Sequence, residues 1–169
     1  MSFDSKIEAA LNAQINNELN ASYTYLAMAA YFESEDLPGF AAWFRGHAAE
    51  ENDHAMKIFD FIYKRDGNVE LNGIEKPKAK YGSAKDAVAY ALAHEKIVTG
   101  QIHDIFSMCN SQKDFGTQNM LHWFLEEQVE EEDLFRRILA QVEATGDNKW
   151  YLTQLDNQLE RGDTGETPK

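Results

Sequence analysis

In the stretch Phe44-Arg45-Gly46-His47-Ala48-Ala49-Glu50-Glu51-Asn52-Asp53-His54-Ala55-Met56-Lys57-Ile58-Phe59-Asp60-Phe61, alternating steps of three and four connect Phe44, His47, Glu51, His54, Ile58 and Phe61. That spacing puts all six on one face of a helix. The ends of the face are apolar and belong in a core, yet Glu51 and His54 interrupt its middle. Three other stretches repeat the pattern. One runs Leu11, Ile15, Glu18, Ser22, Tyr25, Ala29, Phe32; another runs Val88, Leu92, Glu95, Thr99, Ile102, Phe106; the last runs Leu121, Phe124, Gln128, Glu131, Phe135, Ile138, Val142. Four helices thus each direct metal-ligand types of side chain at their own core. Several carboxylates buried together are prohibitively costly unless something positive neutralises them. No stripe carries a Lys or Arg, so a metal site is the simplest account.

The rest of the chain fits a bundle built around those stripes. Ser5-Lys6-Ile7-Glu8 is a capping-box sequence and predicts a helix from about residue 6. Glu35 to Gly39 reads as a short turn, and a second helix runs to Asp66 with Gly67 as its stop. Residues 68–81 carry no helical stripe and are long for a bundle connection. Ser83 opens a third helix to about Ser111; Lys113 to Gly116 is a turn; a fourth helix covers about Thr117 to Ala144, and Gly146 ends it. Residues 149–160, with Trp150, Leu152, Leu155 and Leu159, form a short amphipathic helix. A helix so short is unstable alone and must dock; a subunit contact is the expected place. Short turns make neighbours antiparallel, whereas the long middle connection lets the second and third helices run parallel. The expected fold is therefore all-α: a four-helix bundle with one long crossover and a short fifth helix. One domain over residues 1–161 is expected, with 162–169 a disordered tail.

Composition narrows the function. The chain has 169 residues, 16 basic and 29 acidic, for a formal net charge of −13. Such a balance opposes a grip on nucleic acid or an anionic membrane and suits cations. No stretch approaches the roughly 18 apolar residues that a membrane span needs. The single cysteine, Cys109, excludes an internal disulfide and a CxxC knuckle. A reducing cytoplasmic setting is expected, with Cys109 a buried structural thiol.

The donor set narrows it further. Glu51 and His54 stand one turn apart, and Gln128 and Glu131 echo that spacing. Carboxylates with one imidazole suit iron or manganese better than copper, and poorly suit structural zinc. Two adjacent metals could share a carboxylate, and Glu51, flanked by His54, is best placed to bridge them.

The segments Gln14-Ile15-Asn16-Asn17-Glu18-Leu19, Glu50-Glu51-Asn52-Asp53-His54-Ala55, His94-Glu95 and Glu127-Gln128-Val129-Glu130-Glu131-Glu132 together resemble the non-haem ferritins of bacteria and archaea, over residues 5 to about 161. The resemblance implies an iron-storage protein and ferroxidase, oxidising Fe(II) with dioxygen or peroxide at a diiron site inside a homo-oligomeric cage of 24 subunits. It assigns Glu18, Glu51 and His54 to the first iron, Glu51 as the bridge, and Glu95 with Glu131 to the second. Gln128 is implied as a hydrogen-bonding or weak ligand. Glu50, Glu127 and Glu130 are implied as a third iron site, although the acidic run Glu126 to Asp133 reads equally as a solvated face. Tyr25 is implied as an electron donor beside the pair; Trp123 reads as packing, and His47 as a core or interface histidine. Haem is not expected. Asn52 stands where the haem-binding relatives carry methionine, and Gln128-x-x-Glu131 stands where they carry a second Glu-x-x-His. Gln118 and Leu121 occupy the places where animal heavy chains put acids in their three-fold pores, so iron is expected to enter through the bundle wall.

Overall fold

The computed structural model describes residues 3–162; of the expected tail 162–169, residues 163–169 lie outside the described residues. The elements are α1 (Ser5–Ser34), α2 (Pro38–Lys64), α3 (Ala84–Gln112), α4 (Phe115–Thr145) and α5 (Lys149–Glu160). There is no strand among the described residues. The fold is all-α, a four-helix bundle with a short fifth helix, as the stripes imply.

Buried residues fall into two clusters whose order along each helix gives its direction. One cluster takes Tyr25 to Phe32 from α1, Phe40 to Ala48 from α2, Ala84 to Ala91 from α3 and Leu134 to Val142 from α4. The other takes Ile7 to Ile15, Ala55 to Ile62, Val98 to Cys109, and Leu121 with Phe124 from the same four helices. Helices α2 and α3 both start in the first cluster and finish in the second. They run parallel, and α1 and α4 oppose them, which is the single-crossover arrangement. The polar interruptions of all four stripes lie between the clusters. The crossover is held along α1, where Glu8, Asn12 and Asn16 recur at four-residue steps. Asn12 Nδ2 donates to Asn68 O (2.9 Å), Asn68 N donates to Glu8 Oε1 (2.6 Å), Glu70 N donates to Asn12 Oδ1 (2.8 Å), and Asn16 Nδ2 donates to Gly73 O (3.3 Å).

Several helix ends differ from the sequence reading. Asp4, not Ser5, caps α1, accepting from Lys6 N at 2.9 Å and Ile7 N at 3.2 Å. Asp114 caps α4, accepting from Thr117 N at 3.1 Å, so that helix starts two residues earlier than expected. Helix α2 ends at Lys64, and Asp66 takes the left-handed turn (φ 58°) expected of Gly67. Gly67 is needed for room instead: a Cβ there would lie 2.8 Å from the Phe3 ring and 2.9 Å from Glu8 Oε1. Pro38 and Gly39 belong to the first turn of α2 rather than to the preceding turn.

The fifth helix docks on its own chain, against α2 and α4, with Leu155 and Leu159 buried. Leu152 is partly buried against the same cluster, while Trp150 is exposed. Gly39 lets α5 approach, since a Cβ there would meet Asp156 O at 1.9 Å. Asp156 Oδ1 accepts from Phe40 N at 2.8 Å and so caps α2, whose own N-cap residue, Leu37, makes no side-chain cap bond. No helix among the described residues is long and apolar enough to cross a membrane.

Candidate metal centre

Glu18, Glu51, His54, Glu95, Gln128 and Glu131 are all buried. They occupy core positions where the four stripes face one another between the two clusters. Glu18 from α1 meets Glu51 and His54 from α2, with one ligand atom of each within 4.8 Å of the others. Within that group His54 Nδ1 lies 3.3 Å from Glu51 Oε2. Burial, reinforced by the Glu51 charge, pushes the Glu18 carboxyl well above the ordinary carboxylate range. A hydrogen bond from Gln14 Nε2 to Glu18 Oε1 (2.9 Å) pulls the other way and is outweighed.

A second group gathers beside it. His47 Nδ1 lies 3.2 Å from Glu50 Oε2 and 3.6 Å from Glu131 Oε2. These three also have ligand atoms within 4.8 Å of one another. Glu50 is half-exposed, Glu127 is buried and Glu130 is exposed. Among the residues assigned by resemblance to a third iron, therefore, only Glu50 joins this group.

Glu95 belongs to neither group. Tyr25 donates its hydroxyl hydrogen to Glu95 Oε1. Gln128 Nε2 donates to Glu95 Oε2 (3.1 Å) and approaches Glu95 O (3.3 Å) and Thr99 Oγ1 (3.4 Å). Thr99 Oγ1 in turn lies 2.6 Å from Glu132 Oε1, giving its hydroxyl hydrogen a carboxylate acceptor. Two of the Gln128 neighbours, a carboxylate and a backbone carbonyl, accept only, which fixes the amide nitrogen toward Glu95. Burial raises the Tyr25 phenol well above its ordinary value, with negative charge at Glu95, Glu51 and Glu131 adding to it, so Tyr25 stays neutral.

Some neighbours are packing groups. The Trp123 ring lies edge-on to His54 at 5.3 Å and carries Lys57 Nζ 3.9 Å from its centroid. His94 is half-buried with its ring 6.1 Å from Tyr25, and burial lowers its basicity. His103 and His122 are exposed, His122 against the Phe106 ring at 5.3 Å. Sequence reasoning gave no role to Gln14 or Thr99. The usable signals were the four-residue step from Gln14 to Glu18 and the presence of Thr99 on the third stripe.

Like charges converging without water need a counter-charge, and neither group contains a Lys or Arg. The donor set, carboxylates with one imidazole in each group, fits a divalent cation such as Fe(II).

A family model described as ferritin-like domain matches residues 8–145. A bacterial non-heme ferritin of Staphylococcus epidermidis is 38% identical over 150 residues, covering 88% of this chain and 90% of that protein. Ferritin BfrB of Mycobacterium tuberculosis is 35% identical over 156 residues, covering 92% and 84%. Among solved structures, the open-pore ferritin of the archaeon Archaeoglobus fulgidus superposes with a TM-score of 0.93 at 42% identity, covering 94% of this chain and 98% of that one.

Proposed function

The chain belongs to the ferritin family and its function is iron storage; from that premise we propose that it is a ferroxidase with a diiron site built from its own bundle. Glu18, Glu51 and His54 bind the first Fe(II), Glu51 bridges, and Glu95 with Glu131 binds the second. Gln128 holds the Glu95 carboxylate, and Glu50, Glu127 and Glu130 guide a further ion. Each Fe(II) gives up one electron, and dioxygen takes two to reach the level of peroxide; peroxide itself is the alternative oxidant. The single observation that carries this reading is the buried convergence of Glu18, Glu51 and His54 without a basic residue in the group.

The chain's own groups supply the rest. Glu18 keeps its proton until a cation displaces it, which spares the empty bundle one buried charge. Tyr25 is a neutral phenol bonded to Glu95. Were it to give a further electron to the dioxygen or peroxide being reduced, its proton would pass to that carboxylate, leaving a neutral radical rather than a buried cation. Residues 1–161 act as one domain, and storage requires assembly, for which we propose a 24-subunit homo-oligomer in the cytoplasm, without haem.

Anaerobic titration of the iron-free protein with Fe(II), followed by rapid mixing with dioxygen, tests the reading. At least two Fe(II) per chain are expected to bind, and oxidation is expected to saturate at that ratio before slower mineral growth. A protein that binds no Fe(II) before oxidant is added would refute it.

A further inference from the structure

Helix α3 carries Thr99 one turn after Glu95, on the same stripe. A threonine inside a helix ordinarily turns its hydroxyl hydrogen back to the carbonyl four residues earlier. That acceptor is present, with Thr99 Oγ1 3.0 Å from Glu95 O. A better one stands opposite on α4: Glu132 Oε1, at 2.6 Å. A hydrogen bond to a carboxylate is shorter and about twice as strong as one to a neutral carbonyl, so the single hydroxyl hydrogen goes to Glu132. The next residue, Asp133, takes Arg136 and Arg137 at the exposed face, while Glu132 reaches between the helices to Thr99.

That commitment sets what Gln128 meets. With its hydrogen turned to Glu132, Thr99 Oγ1 offers Gln128 lone pairs only, and Glu95 O is left without the Thr99 hydroxyl. Both oxygens lie within reach of Gln128 Nε2, at 3.4 and 3.3 Å. A side-chain amide keeps nearly the same shape when its oxygen and nitrogen exchange places, so hydrogen bonding decides which atom points where. In the metal-free bundle Glu95 Oε2, 3.1 Å from Nε2, already decides it. A carboxylate that also binds a cation is a weaker acceptor, and the amide is then held by Glu95 O and Thr99 Oγ1. A Thr99 hydroxyl with its hydrogen turned to Gln128 would pair with the amide oxygen instead and release Glu95.

We propose that Thr99 and Glu132 are positioning residues for the second iron. Glu132 takes the Thr99 hydroxyl hydrogen, Thr99 thereby keeps Gln128 a donor, and Gln128 keeps the Glu95 carboxylate in place when a divalent cation arrives. This inference rests on the proposed diiron reading and deepens it; in it neither Thr99 nor Glu132 is a ligand. Removing such a partner of a metal ligand commonly changes metal affinity by about 10–100-fold.

The test titrates the full-length, iron-free assembled protein anaerobically with Co(II), whose visible absorption reports each occupied position. Glu18→Gln and Glu95→Gln serve as references that identify the first and second equivalents. In Thr99→Val, which keeps the shape and removes the hydroxyl, the equivalent lost in Glu95→Gln is expected to bind about tenfold or more weakly. The equivalent lost in Glu18→Gln is expected to stay unchanged, and Thr99→Ser to restore native affinity. Glu132→Ala should weaken the same second equivalent, whereas Glu132→Gln, which keeps an acceptor oxygen without the charge, should bind close to native. Unchanged affinity in Thr99→Val overturns the proposal. So does equal weakening of both equivalents, which would make the hydroxyl a general support of the bundle. If Glu132→Gln binds as weakly as Glu132→Ala, the Glu132 charge rather than its hydrogen bond acts on the ion, and the proposal fails. Should Thr99→Val fail to assemble, the two Glu132 variants decide on their own. Native protein that takes up fewer than two Co(II) per chain refutes the diiron reading and this inference with it, an outcome distinct from the others.

Discussion

The two ends of the bundle bury similar helical faces with different materials. At one end Tyr25, Phe32, Phe40, Trp43, Phe44 and Phe135 form a connected set of rings, with Phe32 stacked on Phe40 at 4.8 Å and on Phe44 at 5.3 Å. At the other end Ile7, Leu11, Ile15, Ile58, Ile62, Ile102 and Leu121 fill most of the space with aliphatic chains, with Phe124 as a buried ring. Aromatic rings have few torsions and defined contact geometry, so they position their neighbours as well as exclude water. Aliphatic chains exclude water with less directional constraint. Tyr25 and His47 border the aromatic end, whereas His54 meets the Trp123 and Phe124 rings of the other. The difference teaches that burial energy alone does not explain the core: one end holds its side of the site with a connected ring set, the other with a few rings at His54 and aliphatic chains beyond them.

The comparison is broken first by truncating each end. Phe44→Ala is expected to cost about 3–5 kcal/mol in chemical unfolding of the metal-free protein. It also opens space beside Tyr25 and Phe135, so fast Fe(II) oxidation should slow in stopped-flow measurement. Ile62→Ala is expected to cost about 2–5 kcal/mol and to leave the oxidation rate of the folded protein unchanged. Equal slowing in both variants would show that the two ends are equivalent.

Glu18→Gln sharpens the boundary between them. It keeps volume and removes a charge, so the metal-free protein should melt no lower than native. Fast oxidation should fall more than about tenfold, or about 1.4 kcal/mol in barrier. The pH dependence has a definite sign. Burial raises the folded-state pKa of Glu18 above its ordinary value of 4.5, so the folded chain binds more protons than the unfolded one in the interval between the two. Stability contributed by this group is present below the unfolded pKa and is lost as pH rises through the interval. Melting curves against pH should therefore fall more steeply upward from about 4.5 in native protein than in Glu18→Gln; parallel curves would contradict the raised pKa.

The smallest effect expected is at the rim of the aromatic end. Asp156→Ala removes the acceptor for Phe40 N and should cost about 1 kcal/mol, measured by urea unfolding. A loss confined to α5, seen as faster hydrogen exchange there with α2 unchanged, would show that the cap serves only the fifth helix.

Much of this arrangement was legible in the sequence because helical periodicity is local. Every residue of the first and fourth stripes except Ser22 is buried, and Ser22 is partly buried. The break at Glu18, Glu51, His54, Glu95, Gln128 and Glu131 therefore predicted where the polar layer would lie. What escaped depended on partners remote in sequence. Asp156 caps a helix through a contact between residues 40 and 156 that no periodicity encodes. Gly67 is crowded by Phe3, Glu8 and Ile62 and does not itself turn left-handed, contacts that its neighbours in sequence do not announce. The closeness of His47 to Glu50 lies one turn along α2, but its closeness to Glu131 on α4 requires the tertiary structure. The docking of α5 on α2 and α4 is of the same kind, since three leucines at helical spacing do not say which surface they meet.

The contact between Asp156 and α2 also has a consequence in time. A chain made from its amino end has α1 and the whole of α2 before the acceptor for Phe40 N exists. The aromatic end therefore waits on the last helix, while the aliphatic end has its last contributions, Leu121 and Phe124, earlier in the chain. Closure of so distant a contact carries the entropy of a long loop and comes late. The half of the bundle that borders Tyr25 and His47 is thus the half completed last, and α5 acts as the latch that finishes it.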